Sequence, residues 1–154
     1  MTMHPELAGL LADARANPDD DGARLIIADW LEENDDFDGA ARGRFIRAQV
    51  QLAGQSLPPR RRLELSAEVT LEGELHGRHW LGELTRVRGV ADGEFVRGLL
   101  RLKISASIVE EGRLATLPEL PNWAWVDGLI CVGAGWRRAV EGLVIPRSSR
   151  GYGT

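Results

Sequence analysis

Phe95-Val96-Arg97-Gly98-Leu99-Leu100-Arg101-Leu102-Lys103-Ile104 decides between an all-helical chain and a mixed one. Arg101 and Lys103 stand two apart in an apolar background, the period of a strand whose side chains alternate between faces. The whole stretch therefore reads as one strand. Downstream, Ser105 to Leu117 holds a short helix built on Ile108, Val109 and Leu114. Pro118 and Pro121 punctuate, and Trp125 to Val132 reads as a second strand. Leu143-Val144-Ile145 is a third, shorter candidate, and residues 147–154, rich in Gly, Ser and Arg, read as a flexible tail. Leu99 and Leu129 mark strands 30 residues apart with a helix between them. Leucine-rich solenoid units run to about 20–29 residues and need at least ~3 copies to bury their faces. One or two units fit here, so the preceding segment has to cover one end of the stack.

That preceding segment is helical. Leu7, Leu10, Leu11 and Ala14 recur at three- and four-residue steps and predict a first helix from His4 or Pro5 to Asn17-Pro18. Asp19-Asp20-Asp21 suits the start of the next helix, where a carboxylate accepts from free amides. A Ca²⁺ loop would need further oxygen ligands at fixed offsets, which are missing. Helix two is predicted over Ala23–Glu33, with Leu25, Ile26, Ala28, Trp30 and Leu31 as its apolar surface. Asn34 to Gly39 reads as a loop. Helix three starts near Ala40 or Ala41, with Phe45, Ile46, Gln49, Val50 and Leu52 as its stripe. Gly54 to Pro59 reads as a linker, and a fourth helix spans Arg60 to His79, with Gly73 and Gly77 weakening it. The expected fold is α+β: a helical bundle (4–53), a connecting helix (58–84) and a short leucine-rich-repeat-like β/α unit (90–146).

Two blocks of residues are similar to a bacterial family, the repeat-companion domain, which commonly precedes leucine-rich repeats. The first is Pro18-Asp19-Asp20-Asp21, then Arg24-Leu25-Ile26-Ile27-Ala28-Asp29-Trp30-Leu31-Glu32-Glu33, then Phe45-Ile46-Arg47-Ala48-Gln49. The looser second block is Trp80-Leu81-Gly82-Glu83-Leu84 with Gly93 to Leu99, which looks like the segment joining that domain to a first repeat. The chain carries Arg44 where the family usually has glutamate. The resemblance implies a non-enzymatic scaffold or interaction module and confers no catalytic residues.

Composition narrows the chemistry. The 154 residues carry a net charge of -4, which disfavours generic phosphate binding. Residues 1–57 hold 11 acidic and 5 basic side chains, while residues 58–154 hold 12 and 14. Cys131 is the only cysteine, which excludes an internal disulfide, and its apolar strand predicts a buried, inert thiol. Met1 to Pro5 has neither a basic region nor an apolar core, and no apolar run approaches the ~20 residues of a membrane helix. A cytoplasmic location is expected.

Glu72, His76 and His79 share a helical face and invite a metal reading, with His4 the only other candidate ligand. The spacing is not H-E-x-x-H, and histidines on a solvated face account for it. No nucleophile elbow or glycine-rich phosphate loop is present, so neither a cofactor nor enzymatic activity is expected. Asp29 and Arg24 read as ties between helix two and its neighbours, with Arg42 and Arg47 as partners for the acidic residues. The structural motif therefore comprises Asp19, Asp20, Asp21, Arg24, Asp29, Trp30, Phe45 and Arg47. Trp123, Trp125, Trp136, Arg137 and Arg138 are the candidate partner-binding residues, because exposed aromatic and arginine side chains anchor interfaces. The expected function is a small adaptor or regulatory subunit, and the resemblance implies a multi-component signalling or defence-type system as its setting. Its partner would be another protein, or a second copy pairing through an open sheet edge. The rival reading is a nucleic-acid-binding regulator using Arg60-Arg61-Arg62 and Trp136-Arg137-Arg138.

Overall fold

Proline and aspartate set the first boundaries. In the computed structural model, which describes residues 3–34, 37–54 and 56–142, α1 runs Pro5–Ala16. His4 Nδ1 accepts from the Glu6 amide at 3.2 Å, and Pro5 occupies the first turn, where its missing N–H costs nothing. Helix α2 spans Asp21–Asn34, and Asp20 Oδ1 accepts from the Gly22 amide at 2.9 Å, which is the N-cap the acidic run predicted. Its inner face is Ala23, Arg24, Ile27, Ala28 and Leu31. Ile26, expected on the apolar surface, is half exposed because that face turns away from α1 and α3.

Helix α3 spans Phe37–Gly54, so it starts earlier than expected and takes the end of the predicted loop. It lies tightly on α2: a Cβ on Gly43 would stand 2.9 Å from the Ala28 carbonyl oxygen. Helix α4, Pro59–Leu81, packs on α3 with an inner face of Leu65, Gly77, Trp80 and Leu81. Phe45 and Phe95 pack against Gly73 and Gly77, where an added Cβ would meet their rings at an ordinary 3.8 and 3.9 Å.

The stretch read as one strand is two. Strand β1 (Val90–Val96) and β2 (Leu99–Ser105) form an antiparallel hairpin closed by Arg97-Gly98. Both turn residues have positive φ, 45° and 87°, the geometry of a two-residue hairpin loop that matches strand twist. Alternation continues across so short a turn, so hydrophobic pattern alone does not reveal it. From β2 the chain passes through a one-turn α5 (Ser107–Glu110) and two 3₁₀ turns, Leu114–Glu119 and Pro121–Trp125. It then enters β3 (Val126–Val132), which pairs parallel to β2 and gives sheet order β1-β2-β3. Trp125 therefore ends a 3₁₀ turn and does not open the strand. Helix α6, Trp136–Gly142, packs on α5. The third predicted strand and the tail lie outside the described residues.

One hydrophobic core runs from Leu7, Leu11 and Ile27 of the helices to Leu100, Leu102, Ile104 and Val126 of the sheet. The fold is α+β, with the helical region and a three-stranded sheet sharing that core. The interlock is polar and local to the hairpin tip. Gln49 of α3 donates to the Phe95 carbonyl and accepts from the Gly98 amide, each at 2.8 Å. Arg97 donates to Asp21 Oδ1 at 2.7 Å and to the Pro18 carbonyl at 2.5 Å. Gly98 admits no side chain, because a Cβ would lie 2.8 Å from Ile46 Cγ1. No helix among the described residues is long and apolar enough to cross a membrane.

Candidate protein-interaction surface

The N-terminal motif residues build scaffold. Asp19 stays exposed, Asp20 caps α2, and Asp21 holds Arg97. Arg24 is 2% exposed and donates to the Asp20 carbonyl at 3.3 Å. Burial, and after it the charge of Arg97, push its guanidinium down from its ordinary value against the pull of Asp127, Asp21 and Asp20. Arg47 of α3 pairs with Asp29 and with Glu32 (3.1 Å) of α2. The hydrogen bond to Glu32 outweighs partial burial and, with that to Asp29, holds the Arg47 guanidinium above its ordinary value. Trp30 packs half-buried against His4, ring centroids 5.1 Å apart. Phe45, Trp80 and Phe95 form a mutual ring cluster, Phe45 lying 5.1 and 5.5 Å from the other two, which are 5.9 Å apart.

The tryptophans do not gather into an exposed face. Trp125 is 3% exposed and lies beneath Arg42, whose guanidinium carbon stands 3.5 Å from the ring centroid. This corrects its assignment as a partner-binding residue: the stacked cation joins α3 to the 3₁₀ turn before β3, and the ring belongs to the core. Trp123 is half-buried and lines a shallow groove with Met3, Arg15 and Pro118. Trp136 turns inward, donating from Nε1 to the Val132 carbonyl at 2.9 Å. Arg137 and Arg138 are exposed.

The two basic groups lie on different helices. Arg60–Arg62 begin α4, which packs on α3, whereas Arg137 and Arg138 lie on α6, which packs on α5. Arg60 and Arg61 both pair with Glu64, at 3.6 and 3.4 Å. His76 and His79 both lie against Asp38, whose Oδ1 stands 3.9 Å from His76 Nδ1. His76 Nε2 lies 3.4 Å from Glu72 and its ring stacks on Trp80, while His79 Nε2 lies 3.3 Å from Asp38 Oδ2. Among the described residues no three His, Cys, Asp or Glu side chains converge on a metal position.

What remains open is the outer face of α4. Leu63, Leu71 and Leu75 are 72%, 55% and 65% exposed. With Ala67 they recur every fourth residue, a row that advances only about 40° per step around the helix. Leu63, Ala67 and Leu71 line a shallow apolar groove with Ser66, Thr70 and Glu74. No family model, no curated protein and no solved structure matches the chain. A second, smaller opening is the outer edge of β3, where Leu129 is 42% exposed and Cys131 is exposed. This corrects the expected buried thiol. Cys131 is in register with the buried Ile104, but the layer covering β2 does not extend over the edge strand.

The α4 row was readable in part. Leu63, Leu71 and Leu75 follow helical spacing, but so do Leu65, Val69 and Trp80, and the sequence does not say which row faces α3.

Proposed function

We propose that this chain is a non-enzymatic protein-interaction module, a small adaptor or regulatory subunit, and that it docks through the outer face of α4. The exposed leucine row carries the reading. A surface helix keeps its apolar residues toward the core, and α4 already has an inner row for that purpose. A contiguous outer apolar row costs solvation in the isolated chain and is regained only against another macromolecule. Fully burying one leucine is worth about 1.5–3 kcal/mol, so three supply the core of a small interface.

The residues shared with the repeat-companion pattern support the same reading. Pro18, Asp21, Gln49 and Gly98 all grip or form the hairpin tip, which is scaffold work. The resemblance also favours a place in a multi-component signalling or defence-type system. The parallel β2–β3 pair, joined through α5 and two 3₁₀ turns, supports the repeat-like part of that resemblance, while β1 adds an antiparallel strand on the other side of β2.

The test is quantitative capture from extract of the native host, comparing wild type with Leu71→Glu and Trp136→Ala. Loss of a stoichiometric protein partner with Leu71→Glu and its retention with Trp136→Ala is the expected result. Equal capture by all three chains overturns the assignment of the α4 face.

A further inference from the structure

The charge layout of α4 names an occupant for its outer face, and we infer that this occupant is a second copy of the same helix, packed antiparallel with Ala67 at the two-fold. The inference rests on the α4 face being the docking surface proposed above. Along that face the order is Arg60, Leu63, Ala67, Leu71, Glu74, with Leu75 beside the last. Setting Ala67 opposite Ala67 of the second copy brings Leu63 onto Leu71, Leu71 onto Leu63, and Arg60 onto Glu74 at both ends. A parallel arrangement would instead set Arg60 against Arg60 and Glu74 against Glu74.

Three further observations favour this pairing. The first turn of α4 contains no acidic residue and carries Arg60, Arg61 and Arg62, cations at the positive end of the helix dipole. Arg60 is 94% exposed and shares Glu64 with Arg61 at 3.6 and 3.4 Å, so a second carboxylate arriving from outside adds to the neutralisation of this end. Ala67 is small and exposed at the centre, which lets two helices approach to the usual separation of about 8–10 Å. The contact is confined to one helix face on each copy, so a weak, reversible association is expected.

The experiment is sedimentation equilibrium of the full chain across a concentration series, with circular dichroism to verify folding of each variant. Wild type should be in monomer–dimer exchange. Leu71→Glu should weaken association about a hundredfold, because each copy contributes one such leucine and each is worth roughly a factor of ten. Arg60→Glu and Glu74→Arg should each weaken it by about five- to tenfold. Mixing those two single variants should restore near-wild-type association, because a heterodimer then has opposite charges at both ends.

A monomeric wild type, a dimer indifferent to Leu71→Glu, or a mixture that associates no better than its components overturns self-pairing. If wild type is monomeric while host-protein capture still falls with Leu71→Glu, self-pairing is wrong and the interaction reading stands. If neither measurement responds to Leu71→Glu, both are wrong.

Discussion

Replacing Gln49 by Met keeps side-chain length and removes both hydrogen bonds that hold the hairpin tip to α3. The Gly98 amide is buried, and leaving such a donor unpaired costs about 1–3 kcal/mol. The Phe95 carbonyl lies in a half-buried position and loses an ordinary bond worth about 0.5–1.5 kcal/mol. The expected loss is therefore about 2–4 kcal/mol, a large part of the ~5–15 kcal/mol by which domains are stable. Urea denaturation should show a lower midpoint with an unchanged slope. Arg97→Ala releases the same tip from Asp21 and the Pro18 carbonyl, so the two changes should not add. A double-mutant cycle should return a coupling of at least ~0.5 kcal/mol. A Gln49→Met loss under about 1 kcal/mol, or strict additivity, would refute the claim that the tip is one clamp.

Gly98→Ala combines left-handed backbone with a 2.8 Å clash on Ile46, whereas Gly112→Ala meets the backbone penalty alone, with nothing within 4 Å. Melting temperatures should rank Gly98→Ala well below Gly112→Ala, whose cost should stay near 1–2 kcal/mol. Arg42→Met removes the cation stacked on Trp125 and should destabilise by about 2 kcal/mol or more in thermal or urea unfolding. Cys131 should react with a thiol reagent to one equivalent in the native protein, without denaturant. A requirement for urea would show that something covers the β3 edge.

Helix ends were the most legible part of the fold because single residues set them. Pro5 and Pro18 constrain their own backbone, and Asp20 caps within its own turn. The hairpin was illegible for the opposite reason. Arg97 has no intrinsic preference for positive φ, and what holds it there is Asp21 and Pro18, more than seventy residues earlier in the chain. The pairing of Arg47 with Asp29 was foreseeable from charge. The stacking of Arg42 on Trp125 was not, because cation and ring come from distant segments with no local signature. Cys131 followed its strand pattern but not its position at the sheet edge. The open leucine row on α4 needed the knowledge of which of two helical stripes α3 covers.

The clamp at the hairpin tip also limits how this chain can be cut and reused. A fragment beginning after α4 carries the Arg97-Gly98 turn but lacks the carboxylate, carbonyl and amide that stabilise it. The three-stranded sheet is thus not a cassette that can be grafted onto another protein alone. Any recombination event or engineered fusion that keeps it working must transplant the helices along with it.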